Sequence, residues 1–363
     1  MRIPAPPYIE TIKPYIPGKP IEEVERELGL AHTVKMASNE NPLGPSPRAV
    51  EALKGFLDKI NIYPDGAGFY LCRALGARYG VDPARIILGN GSVEIVEMSA
   101  RAYLCPGVNA VFSQGAFAMY PIACQIVNAE ARQAPMRDRT HDLHAMLDLM
   151  DEKTRLVIVA NPNNPTGTYN ALRDVERFLE RVPETALVVM DEAYKEFVDA
   201  PDYGSALPLL DRFPNLIVLG TFSKAYGLAA LRVGYGFAQP EVITTLHKVR
   251  SPFNTSAPAQ VAALAALDDE AFVQTYLALN RVELAYLTGE LKAMGLQVTP
   301  SVTNFLMVDV PMDADECFRA LLREGVIVRP QKSGGFPRSL RVTVHTREGN
   351  DRFLAATKKV LGR

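Results

Sequence analysis

The sequence predicts a doubly wound α/β domain built on a large, mostly parallel sheet, with a smaller α+β domain beside it. Three observations carry this. Short apolar runs at residues 86–88, 156–160, 187–190 and 216–219 each end in polar or glycine-containing sequence, and runs that are apolar at successive positions suit strands buried on both faces. The last three begin about thirty residues apart, the size of a strand–crossover–strand unit. The C-terminal third changes character, with Ala- and Leu-rich helical sequence followed by short strands and helices in mixed order. A chain of 363 residues suits two such units.

Taken in order, residues 1–44 form an arm. Pro14, Pro17 and Pro20 interrupt it, and only residues 21–30 have a helical pattern. SNENPLGPSP, residues 38–47, is rich in turn-forming residues. A helix is expected next, with Val50, Leu53 and Leu57 on one side and Arg48, Glu51, Lys54 and Asp58 on the other. Residues 45–250 are expected to hold the large sheet, with a crossover helix at 172–182 whose charged side carries Asp174, Glu176, Arg177, Glu180 and Arg181. Residues 251–363 are expected to form the small domain: a long helical region at 257–289, strand-like NFLMVDV at 304–310, a helix at 314–324, short strands at 326–328 and 340–344, and a terminal helix after Glu348.

Composition narrows the function. A formal net charge of −2 gives no electrostatic footprint for nucleic acid, and no polybasic patch addresses a membrane. The N-terminal MRIPAPPYIE lacks the apolar run of a secretory signal, and no stretch reaches the roughly 18 apolar residues of a membrane span. Cys72, Cys105, Cys124 and Cys317 are scattered, as expected for reduced thiols of a cytoplasmic protein. His141 and His144 read as a solvated helix start, not a metal pair, and Tyr79, Tyr103 and Tyr120 read as core or half-buried rings.

In open parallel sheets, ligands bind beyond the carboxyl ends of the strands, so the residues after each run matter. Gly89-Asn90-Gly91-Ser92 lies between a strand and a helix, where free amide N–H groups make an anion site. NPNNPTG, residues 161–167, stiffens the next strand end, and its amide side chains can face a ligand. Asp191 ends the third run, where a partly desolvated carboxylate calls for a cationic partner. Lys224 follows the fourth run among apolar and glycine residues, which lowers an ammonium pKa and makes the amine nucleophilic. Thr221, Ser223 and Arg232 add two hydroxyls and a guanidinium suited to phosphate. A phosphate cup, a buried acid and a lysine on successive strand ends are what pyridoxal 5'-phosphate requires: the aldehyde condenses with Lys224, and Asp191 keeps the ring nitrogen protonated.

The segments YIPGKPIEEVERELG, SNENPLGPSP, YPDG, GNGS, NPNNPTG, DEAY, SKAYGLAALRVGY and LRVTVHTREGNDRF span nearly the whole chain. In this order they resemble the fold type I pyridoxal-phosphate enzymes of aspartate-aminotransferase type, and within them the histidinol-phosphate aminotransferases. The resemblance implies a Schiff base on Lys224, which also moves the substrate proton, and Asp191 paired with the pyridine nitrogen. It implies Asn164 and Tyr194 on the phenolic oxygen; Gly91, Ser92, Thr221, Ser223 and Arg232 on the phosphate; and Phe117 stacked on the ring. Arg341 matches the arginine that grips a substrate carboxylate, and Arg329 and Tyr15 match positions that recognise the substrate side chain or its phosphate. Tyr63 matches a tyrosine that reaches the partner subunit's cofactor, which implies a homodimer, with the arm contributing to the small domain and the dimer contact.

The implied reaction interconverts L-histidinol phosphate plus 2-oxoglutarate with imidazole-acetol phosphate plus L-glutamate. Aromatic amino-acid transamination and decarboxylation of a phosphorylated amino acid share the cofactor chemistry. A ligand-sensing domain of a transcription regulator would call for a DNA-binding domain ahead of it, and a nicotinamide-binding domain would call for GxGxxG and leave Lys224 unexplained. Three places depart from the group's usual pattern: Val93 where Asp is frequent, residues 331–335 (QKSGG) in place of a segment that often carries a tyrosine, and His345 where VGT or IGT is usual. The last two flank Arg329 and Arg341 in sequence, where the substrate is selected.

Overall fold

A computed structural model describes residues 3–362. The arm carries helix α1, Ile21–Leu28, which buries Val24 and ends at Gly29 in the left-handed conformation. Beyond α1, Val34–Lys35 pairs in parallel with Val326–Ile327. Met36 N donates to Ile327 O at 2.7 Å, and Thr343 N donates to Met36 O at 2.8 Å, so the arm is hydrogen-bonded into the C-terminal layer.

The large sheet has seven strands: β1 Ile86–Gly89, β2 Asn109–Ser113, β3 Glu130–Ala134, β4 Thr154–Ala160, β5 Leu187–Asp191, β6 Leu216–Thr221 and β7 Gly234–Ala238. Their spatial order is β1-β7-β6-β5-β4-β2-β3. Every strand but β7 runs the same way, and β7 is antiparallel to both its neighbours. The four apolar runs of the sequence are β1, β4, β5 and β6. Of the other three strands, β3 (EARQA) is an edge strand and largely exposed, β7 (GYGFA) is rich in glycine, and β2 (NAVFS) sets its short buried apolar run, residues 110–112, between Asn109 and Ser113.

Alternation splits the side chains into two cores. Val157, Val159, Val188, Met190, Leu216 and Val218 face one side, against α2 Pro47–Lys54, α3 Phe69–Tyr79, α6 Leu172–Leu179 and α8 Ala257–Leu267. Leu156, Ile158, Leu187, Val189, Ile217 and Leu219 face the other, against α4 Gly91–Tyr103, α5 Met119–Ile126 and α7 Pro240–His247. At α2, Ser46 caps the helix through Ala49 N and Pro47 occupies the first turn, a pairing that favours initiation there.

The C-terminal sheet is antiparallel, in the order β8-β9-β11-β10, with β8 Val298–Thr299, β9 Phe305–Asp309, β10 Arg329–Pro330 and β11 Ser339–Thr343. It packs on α9 Glu270–Ala293, α10 Ala314–Arg323 and α11 Arg347–Val360. The helical region expected at 257–289 is two helices, because the chain breaks at Asp268–Asp269 and the Asp269 carboxylate accepts from Ser46 Oγ at 2.6 Å. Helix α8 packs in the core of the large sheet through Ala259, Ala262, Ala263 and Ala266. Helix α9, 24 residues and so about 36 Å long, places Val273 in that core and Leu287 and Leu291 in the small one. Among the described residues no helix is long and apolar enough to cross a membrane.

Candidate active site

A cavity of about 260 Å³ opens beyond the carboxyl ends of β4, β5 and β6, roofed by arm residues 37–40. It is lined by Lys224, Asp191, Tyr194, Asn164, Gly91, Ser92, Phe117, Thr221, Ser223, Arg232, Arg341, Arg329 and Tyr15, so twelve of the thirteen other predicted site residues gather around or beside Lys224. The exception is Tyr63, which is 79 % exposed and stacks on Phe253 at 4.7 Å, away from its own chain's cavity.

Lys224 Nζ donates to Ser38 O at 3.1 Å and lies 5.7 Å from the Tyr194 ring centroid. Burial, helped by the Arg341 guanidinium, pushes its ammonium down to about 7. Near neutral pH about half of the amine is therefore unprotonated and available as a nucleophile or base. Asp191 closes β5 opposite Ala160 and Leu219, which holds its carboxylate at the buried strand end. Tyr120 Oη donates to its Oδ2 at 2.9 Å and Ala193 N to its Oδ1 at 3.2 Å, while burial raises its pKa. Tyr120 is buried in the core as expected, yet it also holds Asp191, a function that sequence reasoning did not assign. A hint lay in its spacing: it falls one turn after Phe117, and the two rings meet edge to face at 5.8 Å.

The anion cup is built where β1 meets α4. Gly91 has φ +73°, and a Cβ there would sit 2.4 Å from Arg232 Nη2, so only glycine leaves that cradle open. A Cβ on Gly234 would sit 2.4 Å from Ser92 N, which keeps the first turn of α4 bare on that side. Asn90 provides no side-chain cap, leaving the amide groups at the helix start for a ligand. Arg232 makes only long contacts within the protein, to Ser223 Oγ at 3.4 Å, Ala229 O at 3.2 Å and Asn90 O at 3.4 Å, and burial lowers its pKa. A guanidinium so weakly matched, beside Thr221 and Ser223, suits a phosphate.

At the other end, Arg341 Nη1 donates to Asn164 Oδ1 at 2.6 Å, Nη2 donates to Ala37 O, and Nε has no partner among the described residues. Burial lowers its pKa. Arg329 is its cross-strand partner in the β10–β11 ladder, so two like charges stand side by side on one face. Such a pair is unfavourable until an anion joins it. The Arg329 guanidinium lies over the Tyr15 ring at 5.3 Å, and Tyr15 meets Phe117 edge-on at 6.5 Å. These contacts join the arm, the small sheet and the loop after β2 around one cavity.

The departures fall in different places. Val93 lines the cavity. Residues 331–335 do not; Lys332 pairs with Asp313 at 2.7 Å, and the Phe336 ring that follows presses on Gly115, just before Phe117. His345 turns away from the site, contrary to the expectation drawn from its closeness to Arg341 in sequence. It lines a separate cavity with His32 and Arg352, because β11 ends at Thr343 and strand alternation no longer governs the next side chains.

His141 is also corrected. It is buried, not solvated: Nε2–H donates to Ala160 O at 2.9 Å, and Nδ1 accepts from Ser113 Oγ at 2.7 Å, tying β2 to the end of β4. Burial pulls its pKa from 6.5 to about 4. The unfolded chain therefore takes up a proton at a higher pH than the folded one. Stability is fully present above about pH 6.5 and is lost as pH falls toward 4. Between pH 6.5 and 5 the parent protein should lose about 1.5 kcal/mol more than His141→Gln, read by urea unfolding at both pH values. Equal losses would show that burial does not lower the folded imidazole's pKa.

The chain belongs to the class I and II aminotransferases, whose family model matches residues 31–356. It is 52 % identical over 98 % of its length to histidinol-phosphate aminotransferase 2 of Pseudomonas aeruginosa, 97 % of which is covered. It is 50 % identical to histidinol-phosphate aminotransferase 1 of Thiobacillus denitrificans, covering 98 % of this chain and 93 % of that one. Among solved structures, the histidinol-phosphate aminotransferase of Sinorhizobium meliloti in complex with pyridoxal-5'-phosphate superposes with a TM-score of 0.90 at 28 % identity, covering 98 % and 97 % of the two chains.

Proposed function

We propose that this aminotransferase uses pyridoxal 5'-phosphate to interconvert L-histidinol phosphate plus 2-oxoglutarate and imidazole-acetol phosphate plus L-glutamate. The cross-strand pair Arg329 and Arg341, facing the same cavity as a buried lysine, carries this reading. Glutamate presents a carboxylate on its reacting carbon and histidinol phosphate presents a phosphate nearby, so both substrates bring an anion to two adjacent cations.

The residues fit the cofactor. The glycine-lined cup with Ser92, Thr221, Ser223 and Arg232 accommodates a phosphate, and Asp191, held by Tyr120, supplies the counter-charge for a protonated ring nitrogen. Asn164 and Tyr194 offer hydrogen bonds to a phenolic oxygen, and Phe117 offers a ring face. Bound, the cofactor supplies an electron sink for the substrate's α-carbon. Lys224 Nζ, with its pKa near 7, accepts the α-carbon proton and returns it. Arg341 orients the glutamate carboxylate, and Arg329 with Tyr15 takes the histidinol side of the substrate. The arm at residues 37–40 covers the site and limits water.

Tyr63 completes the partner subunit's site in a homodimer. Its exposure, together with that of Leu57, Ile60, Ile62 and Tyr70, supports an apolar contact surface there. We take the chain to divide into an arm (residues 1–44), a large cofactor domain (45–250) and a small domain (251–363), with α8 packed on the large sheet and α9 reaching both cores. The enzyme acts in the cytoplasm on small molecules.

Arg329→Ala tests the substrate. It should lower kcat/KM for histidinol phosphate by roughly 10–100-fold, the scale of lost charged hydrogen bonds, and for phenylalanine by only a few-fold. Equal losses for both would remove the phosphate assignment.

A further inference from the structure

We infer that Asn39 is a positioning residue that sets the direction of the Tyr194 hydroxyl proton and thereby the acidity of the bound cofactor. The inference rests on the proposed cofactor reading and adds a residue to it. Asn39 lies in the SNENP segment, 1 % exposed, and its Nδ2 donates to Tyr194 Oη at 2.9 Å. An amide N–H can only donate, so the Tyr194 oxygen must accept on that side. Among the described residues no protein acceptor faces the tyrosine's own proton, and Tyr194 lines the cavity. That proton is therefore free to point at an oxygen anion bound there.

The neighbours favour this amide orientation, because a flip would leave the Thr343 hydroxyl proton without its acceptor. Thr343 Oγ1 accepts from Asn39 N at 2.9 Å, which leaves the threonine's proton to be donated to Asn39 Oδ1, 3.1 Å away. Asn39 O accepts from Asn304 Nδ2 at 3.0 Å, and Asn304 Nδ2 also donates to Tyr276 Oη at 3.0 Å. Swapping the amide's oxygen and nitrogen would put a donor against the Thr343 hydroxyl and an acceptor against Tyr194, and Tyr194 would then turn its proton toward Asn39. The backbone is specialised as well: Asn39 has φ +55°, a conformation that asparagine and glycine tolerate best. Its neighbours Ala37 and Ser38 present their carbonyls to Arg341 and Lys224, so three successive residues address three site residues.

The chemical consequence has a definite sign. A donor aimed at an anionic oxygen draws charge from it and weakens that oxygen's hold on any proton it shares, so the bound cofactor deprotonates at lower pH. Removing the donor's orienting partner raises that pH. A purely structural role for Asn39 would change stability or occupancy and leave the midpoint where it was.

Asn39→Gly is the appropriate variant, because glycine keeps the left-handed backbone and removes only the side chain. The test is a pH titration of the purified holoenzyme, following cofactor absorbance, for the parent, Asn39→Gly, Tyr194→Phe and the double variant. The midpoint of Asn39→Gly should rise by roughly 0.5–1 pH unit, and by much less when Tyr194 is already Phe. An unchanged midpoint overturns the inference, and so does a shift that adds in full to that of Tyr194→Phe. Should Asn39→Gly fail to fold or to hold cofactor, Thr343→Val loosens the same amide and should shift the midpoint in the same direction by less, with no shift again overturning the inference. Failure of the underlying reading looks different: the parent protein itself would then take up no cofactor and show no band to titrate.

Discussion

Lys224→Ala should lower transamination by at least about 10⁴-fold, the upper range for loss of a positioned acid–base group, with the nucleophilic role lost as well. The variant can still hold the cofactor by its phosphate, but reduction with borohydride should leave no covalent label on the chain. The buried amine also sets a pH dependence. Because burial and Arg341 push Lys224 down to about 7, covalent capture of the aldehyde by cofactor-free protein should reach half its maximal rate near pH 7, not near the 10.5 of a solvated lysine. A midpoint above 9 would mean that Lys224 keeps its solvation, and covalent label on Lys224→Ala would place the reactive amine elsewhere.

Arg341→Ala has the next largest expected effect. It removes a buried cation that holds Asn164 Oδ1 and Ala37 O, and leaves an incoming carboxylate without its fork. Truncating one partner of a buried charge pair costs about 2–5 kcal/mol, so the glutamate half-reaction should slow by roughly 10²–10⁴-fold in kcat/KM. Arg341→Lys should recover only part of this, since an ammonium cannot make the bidentate contact. Single-turnover absorbance changes with glutamate and with histidinol phosphate separate the two arginines: Arg341→Ala should damage the glutamate step more, and Arg329→Ala the phosphate step. A glutamate step within tenfold of the parent in Arg341→Ala would assign the carboxylate to another group.

The strand ends were legible in the sequence because burial on both faces of a parallel strand leaves an unbroken apolar run, and the residue that ends the run is placed at the ligand crevice. Asp191 and Lys224 could be read for that reason. Strands β3 and β7 could not, since an edge strand and a glycine-rich antiparallel strand lack the apolar run. Tyr120 and Asn39 were hidden for another reason. Both act through a second residue, Tyr120 through Asp191 and Asn39 through Tyr194, over sequence separations of 71 and 155 positions that no local pattern encodes. His345 failed in the opposite sense: closeness to Arg341 along the chain became distance in space once the strand ended. His141 shows the same limit, because what buries it is the meeting of β2 and β4.

The side-by-side arginines of the small sheet have a consequence for the life of the protein as well as its catalysis. Without ligands, Arg329, Arg341 and Arg232 face one cavity with Lys224, and their mutual repulsion weakens the fold where the arm, the large sheet and the small sheet join. Anionic ligands that neutralise them stabilise the native state by mass action, by about 2.7 kcal/mol at a hundredfold excess over Kd. Binding of the cofactor thus lowers the population of unfolded chain open to proteolysis. Cofactor-free protein should therefore be cut by protease faster than holoenzyme, a difference read by limited proteolysis with and without pyridoxal phosphate.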